Sequence, residues 1–219
     1  MKIRGAIFDL DGVIVDTAKY HYLAWKRLAK ELGFVFTEED NERLKGVSRK
    51  KSLEILLEVG NLSGKFTESE EDQLATKKNS WYVEYIGKLK KSEIMPGTRE
   101  FLQRLRVKGI KISLGSASKN APLILERLEI NELFDEIVDG TKVSKAKPNP
   151  EVFITAAKAL GIPNEQCVVF EDAQAGIEAG NAANMYMVAI GKKENLRNFD
   201  EIIAGLFEYK NLKIMQDIV

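Results

Sequence analysis

A short apolar run near the start of the chain, Ile3 with Ala6, Ile7 and Phe8, ends in two carboxylates, Asp9 and Asp11, before Gly12 releases the backbone from extended geometry. Few folds tolerate a buried strand that terminates in paired acids, because each carboxylate is costly to desolvate and the two repel. A parallel α/β sheet is one that does. Its ligands bind beyond the carboxyl ends of the strands, where loops and helix amino termini converge. Something must offset the charge there: a metal ion, cationic side chains or a shared proton. Taken alone, the pair also fits a surface turn, since Asp-Gly is a common turn dipeptide.

From Ile94 onward the pattern alternates between helix and strand. Gly97 and Thr98 introduce a helix carrying Phe101, Leu102 and Leu105 and closed by Gly109. Ile110 to Leu114 reads as a strand that runs into Ser116-Ala117-Ser118-Lys119-Asn120, followed by a helix with Pro122 in its first turn. A strand, a hydroxyl-rich loop and a helix amino terminus can cradle phosphate, although a plain connecting loop with serine caps has the same composition. Residues 136–140 read as a further strand and turn, and Lys147-Pro148-Asn149-Pro150 restrains a lysine ahead of a helix from Val152 to Leu160. Residues 167–180 form a strand ending in Glu171 and Asp172, then a helix. Met187 to Ile190 suggest one more strand, and the remainder reads as a helix plus a short terminal strand or helix with no assigned place. With the first strand included, this alternation predicts a Rossmann-like parallel sheet with helices on both faces.

Between them, residues 15–92 show helical patterns and no strand, so an all-helical cap domain is expected there, with 1–14 and 93–219 forming the α/β core. Leu23, Trp25, Leu28 and Leu32 form a rough helical stripe that stops at Gly33, and a second helix follows Thr37. Ser48 is a suitable N-cap for a helix carrying Leu53, Leu56 and Leu57 and ended by Gly60, and Lys45 and Arg49 place cations beside its free amides, a plausible anion site. Thr67 to Glu70 match a capping box. On the helix it opens, Leu74, Lys78, Trp81 and Tyr85 share a face, so Lys78 must either snorkel outward or reach a polar partner.

Lysine plus arginine balance aspartate plus glutamate at 33 each, which gives no net field toward nucleic acid or an acidic membrane. Partners are expected to be small molecules. No apolar run approaches a membrane span and no secretory signal precedes the first strand, so a cytoplasmic location is expected. Asn61-Leu62-Ser63 fits a glycosylation acceptor but carries no weight in that setting. The single cysteine, Cys167, beside Val168, Val169 and Phe170, reads as a small buried hydrophobe.

Asp9, Asp11, Ser116, Lys147, Glu171 and Asp172 all follow predicted strands, so the topology can gather them at one rim. Carboxylates from two strands suit a hard cation such as Mg2+. A lysine and hydroxyls suit phosphoryl oxygens. A carboxylate can attack phosphorus, with a second carboxyl acting as acid and base.

These segments resemble the four motifs of the haloacid dehalogenase superfamily: Asp9 with Asp11, Ser116, Lys147, and Glu171 with Asp172. Dehalogenases of that superfamily lack the second aspartate of the first motif, so Asp11 argues for phosphoryl transfer. Over nearly its full length the chain is similar to the β-phosphoglucomutase family, through residues 45–49, residues 116–120, His21 and Lys78. The resemblance implies interconversion of β-D-glucose 1-phosphate and β-D-glucose 6-phosphate with β-glucose 1,6-bisphosphate as intermediate and activator. It implies Asp9 as nucleophile and Asp11 as acid and base. Asp9, the backbone carbonyl of Asp11 and Asp172 would bind Mg2+, with Glu171 in support. Ser116, Ala117 and Lys147 would hold the transferring group, and Arg49, Ser118, Lys119 and Asn120 the other phosphate. Lys45, Gly46, Val47, Ser48, Ser52 and Lys78 would contact sugar hydroxyls or order the cap, and Thr17 and His21 would position Asp11. A lone helical histidine is more often structural; the resemblance is what gives His21 a role. Ala146 stands where members of that family commonly carry serine, which removes one hydroxyl. A sugar-phosphate or other small phosphomonoester hydrolase is the alternative on the same core, and a non-catalytic phosphate sensor would be expected to have lost one of the acids. Charge balance and the resemblance point to a monomer.

Overall fold

The computed structural model describes residues 2–44 and 47–216. They divide into two compact units, one drawn from the segments 1–16 and 89–219 and the other from the segment 17–88.

The first unit is built on six parallel strands: β1 (Gly5–Phe8), β2 (Lys111–Gly115), β3 (Glu136–Val138), β4 (Cys167–Glu171), β5 (Tyr186–Ile190) and β6 (Glu201–Ile203), in the order β3-β2-β1-β4-β5-β6. β1 and β4 are buried throughout, as expected of central strands covered on both faces. Successive side chains of β1 serve opposite faces. Ile7 joins a core formed with Val152, Phe153 and Ala156 of the helix Glu151–Leu160 and with Ile177 of the helix Gln174–Ala182. Phe8 stacks on Phe170 at 4.5 Å and meets Phe101 edge-on at 5.8 Å, and Tyr209 stacks on the outer side of Phe101 at 4.7 Å. Phe101 belongs to the helix Thr98–Val107.

β1 ends in a compact turn. Gly12 N donates to Val15 O at 2.8 Å, and Val15 pairs with Ile94, so the chain leaves the sheet region and returns to it at adjoining points. Beyond β5, where a helix and then a short strand or helix were expected, the chain forms β6, then a 3-10 turn over Leu206–Asn211 and a short helix Lys213–Gln216. β6 is only three residues long, too short to show a period in sequence.

Among the described residues the second unit contains four helices: α1 (Ala18–Glu31), α2 (Glu38–Glu42), α3 (Arg49–Val59) and α4 (Glu68–Ile86). Their starts follow local chemistry. Thr37 and Thr67 form reciprocal capping boxes with Asp40 and Glu70, and Ser48 Oγ accepts from Lys51 N at 3.2 Å. The buried face of α1 is Ala24, Trp25, Leu28 and Ala29, whereas Leu23 is 47% exposed. Two alanines, too small to dominate a hydrophobic pattern, thus turn the stripe away from Leu23. No helix among the described residues is long and apolar enough to cross a membrane.

Candidate active site

Asp9 directly follows β1, and its amide donates to Phe170 O of β4 at 3.0 Å, which fixes the backbone of the nucleophile candidate against the neighbouring strand end. Glu171 closes β4 and is buried. Its Oε1 accepts from the amides of Asp172 and Ala173 at 3.2 and 3.0 Å, leaving Oε2 to face Lys147. Lys147 Nζ donates to Asp9 Oδ1 at 2.6 Å and to Glu171 Oε2 at 2.7 Å. Both contacts are nearly dry, with 11% of the lysine side chain exposed against 10% for Asp9 and 1% for Glu171.

Charge at this rim is unbalanced. Asp9, Glu171 and Asp172 bring carboxylate oxygens within 4.8 Å of one another, and among the described residues Lys147 is the single cation paired with them. Burial, which Lys147 only partly offsets and to which Glu171 and Asp11 add repulsion, raises Asp9 to about 7. Burial followed by Glu171, Asp9 and Asp11 raises Asp172 to about 8. Burial works against the charge of Lys147, but Asp9 and then Glu171 outweigh it and hold the ammonium above its ordinary value. An all-oxygen, acid-rich donor set whose charge one lysine only partly offsets fits a hard divalent cation. Asp11 stands outside that side-chain group, and its expected contribution is a backbone carbonyl.

Two glycines shape the site. Gly12 has φ +78°, and a Cβ there would lie 1.9 Å from Asp172 Oδ2. Gly176, in the first turn of the helix after Asp172, faces Glu171, whose carboxylate would stand 2.0 Å from an added Cβ. Gly176 was not among the expected site residues. A glycine inside a helical pattern is the signal that points to it.

At the adjacent strand end, Ser116 is buried and its amide donates to Val138 O at 2.9 Å. Its Oγ accepts from Ser118 N at 3.1 Å, and Ser118 Oγ accepts from Asn120 N at 3.3 Å, so the hydroxyls shape the loop that opens into the helix Ala121–Leu128. Gly140 N donates to Ser118 O at 3.2 Å and supports the loop from behind. Ala117 and Lys119 are exposed on it. Cys167 is buried, and burial followed by Glu165 pushes its thiol up to about 12, so it behaves as an inert hydrophobe.

The remaining expected residues belong to the helical unit. Thr17 is the buried N-cap of α1. Lys78 does not snorkel: it is 2% exposed, and its Nζ contacts His21 Nδ1 at 2.8 Å and lies 4.4 and 5.1 Å from the ring centres of Trp25 and Tyr82. His21 stacks on Tyr82 at 3.9 Å. Burial, then Lys78 and Arg49, hold His21 well below its usual range; burial and then Arg49 lower Lys78 to about 7. His21 is therefore held as the neutral imidazole. Arg49 donates to Asn79 Oδ1 at 2.8 Å, Ser52 is buried, and Val47 and Ser48 are exposed. Lys45 and Gly46 lie outside the described residues.

Residues 6–190 match the model of the family described as haloacid dehalogenase-like hydrolase. The chain belongs to that family. Among haloacid dehalogenase-like relatives, a protein of Bacillus subtilis named beta-phosphoglucomutase is 43% identical over 201 residues, 92% of this chain and 89% of the relative. A Thermotoga maritima protein named phosphorylated carbohydrates phosphatase is 31% identical, covering 84% of this chain and 82% of its own length. The crystal structure of a beta-phosphoglucomutase from Clostridium difficile superposes with a TM-score of 0.91 at 42% identity, covering 99% and 97% of the two chains. The six-stranded parallel sheet is thus the sheet of a haloacid dehalogenase-like protein.

Proposed function

We propose that the protein is a β-phosphoglucomutase, which interconverts β-D-glucose 1-phosphate and β-D-glucose 6-phosphate through a phosphorylated Asp9 and β-glucose 1,6-bisphosphate. The observation that carries phosphoryl transfer through Asp9 is that residue held by Lys147 at 2.6 Å within a cluster of acids from two strand ends. The similarity to the Bacillus subtilis protein, which extends over nearly the whole chain, gives it its substrate.

In this reading an Asp9 carboxylate oxygen attacks phosphorus while the bond from phosphorus to the sugar oxygen breaks. The proton that the departing oxygen needs comes from Asp11, and Asp11 recovers one from the hydroxyl that attacks phospho-Asp9 in the opposite direction. The Lys147 ammonium screens the approach of Asp9 to an anionic substrate and holds a phosphoryl oxygen together with Ser116 and the Ala117 amide. Mg2+ bound by Asp9, Asp172 and the Asp11 carbonyl, supported by Glu171, would neutralise the transferring oxygens and the mutual repulsion of the acids. Arg49 with Ser118, Lys119 and Asn120 is proposed for the second phosphate, and Lys45 to Ser48, Ser52 and Lys78 for the sugar. Keeping the phosphoryl group from water requires water exclusion at Asp9, and residues 17–88 are the part of the chain proposed for that role, with Thr17 and His21 positioning Asp11.

The second reading, a sugar-phosphate phosphatase, is favoured by the Thermotoga maritima relative. Following glucose 6-phosphate and free phosphate together, from β-glucose 1-phosphate with Mg2+ and a trace of the bisphosphate, decides between them. Glucose 6-phosphate with little free phosphate supports the mutase; free phosphate as the main product refutes it.

A further inference from the structure

Lys147 reaches Asp9 and Glu171 from residues 139–150, a connection between β3 and the helix Glu151–Leu160 with no regular structure of its own. A lysine ammonium rides on a flexible four-carbon stem, so the backbone that carries it must be fixed before Nζ can settle between two carboxylates. One side chain does much of the fixing. Glu151, the first residue of the helix, turns its carboxylate back over the loop. Its two oxygens accept from Ser144 N and Ser144 Oγ at 3.1 Å, and Oε2 accepts from Lys145 N at 2.7 Å. Its own amide donates to Asn149 Oδ1 at 3.1 Å. Donation from the Ser144 and Lys145 amides holds the Glu151 carboxyl below its usual range, so it stays an acceptor.

These bonds close a ring from Ser144 to Glu151 with Lys147 near its middle. The ring is anchored at one end, because Val152 and Phe153, the next two residues, are buried in the core, and the Phe153 ring centre lies 4.6 Å from Lys147 Nζ.

We infer that Glu151 is a positioning residue for Lys147: by clamping the Ser144 and Lys145 amides it sets where the ammonium stands between Asp9 and Glu171. Glu151 touches neither acid and acts only through the loop. The inference rests on Asp9 as the phosphoryl acceptor, but not on the choice between mutase and phosphatase, since both use Lys147 in the same way.

The test is a set of rates for the wild type, Glu151→Ala, Glu151→Gln, Lys147→Ala and the Glu151→Ala/Lys147→Ala double variant. Each is assayed with Mg2+ on β-glucose 1-phosphate and, in parallel, for hydrolysis of an aryl phosphate and for single-turnover phosphorylation of Asp9 by acetyl phosphate. A wild type that makes no glucose 6-phosphate but turns over the other donors overturns the mutase and leaves this inference fully testable. Misplacing a group by about an ångström costs on the order of a hundredfold, so Glu151→Ala should lower kcat roughly ten- to a hundredfold while KM moves by less than about threefold. Glu151→Gln keeps an acceptor oxygen and should recover part of the loss, and it carries the test if Glu151→Ala fails to fold. In the Lys147→Ala background Glu151→Ala should cause no further loss, whereas a general weakening of the fold would act equally in both backgrounds. A wild-type kcat in both Glu151 variants, or an equal loss with and without Lys147, overturns the inference.

Discussion

Burying Lys78 against His21, Trp25 and Tyr82 carries a cost that can be measured separately from catalysis. Its amine titrates at about 7 where an ordinary lysine does so at 10.5. A tenfold change in acidity corresponds to about 1.4 kcal/mol, so keeping the proton in that setting costs on the order of 5 kcal/mol. That figure is already net of what the faces of Trp25 and Tyr82 and the His21 contact return to the charge, and at pH 7, where about half of the folded molecules have shed the proton, about 4 kcal/mol of it is expressed. Lys78→Met keeps an unbranched chain among the same rings and removes the charge, so it should stabilise the helical unit by about that amount at pH 7. Between pH 7 and 10.5 the unfolded chain holds this proton and the folded chain does not. The wild type therefore gains stability as pH rises through that window, and the advantage of the variant should shrink toward zero. Both tryptophans of the chain, Trp25 and Trp81, lie in residues 17–88, so urea titrations followed by tryptophan fluorescence report on this unit. A variant less stable than wild type at pH 7, or an advantage that does not change by pH 10, would show that the aromatic faces and His21 fully compensate the buried charge and would refute the reasoning.

Three further outcomes are expected. Asp9→Ala should abolish turnover, while Asp11→Ala should still accept a phosphoryl group on Asp9 slowly from acetyl phosphate, detected by intact mass; full turnover by the Asp9 variant would remove the mechanism. Gly12→Ala combines φ +78° with a Cβ 1.9 Å from Asp172 Oδ2, so it should cost about 1–3 kcal/mol in a thermal melt and weaken Mg2+ binding in calorimetry, and wild-type affinity would count against the placement of Asp172. Saturating Mg2+ at about a hundred times its dissociation constant should stabilise the protein by about 2.7 kcal/mol, an effect that Asp172→Asn should largely erase in the same melt.

The sheet was legible because each of its longer strands is a compact apolar run, and the site because Asp9, Ser116, Lys147 and Glu171 follow such runs or their loops. The capping boxes at Thr37 and Thr67 belong to the same class of signal, local chemistry read over four residues. What sequence left open depended on contacts distant in the chain. Helical spacing put Lys78 on an apolar face but not against His21, whose ring comes from another helix. The clamp by Glu151 uses backbone amides of Ser144 and Lys145, which no side-chain pattern records. Leu23 faces outward because Ala24 and Ala29 do the packing, and β6 is too short to carry a period.

The strand order also sets a schedule for biosynthesis. β1 lies at the centre of the sheet, with Gly5 paired to Lys111 on one side and to Cys167 on the other. Ribosomes deliver the chain from its amino-terminal side, so the segment bearing Asp9 emerges before both neighbours and must wait for them, and each pairing requires closure of a long loop. The helical unit is contiguous from Thr17 to Lys88 and has all its own residues long before then. A nascent chain therefore has its helices complete while its nucleophile strand still has unpaired edges, and the acid cluster can assemble only after Glu171 and Asp172 have left the ribosome.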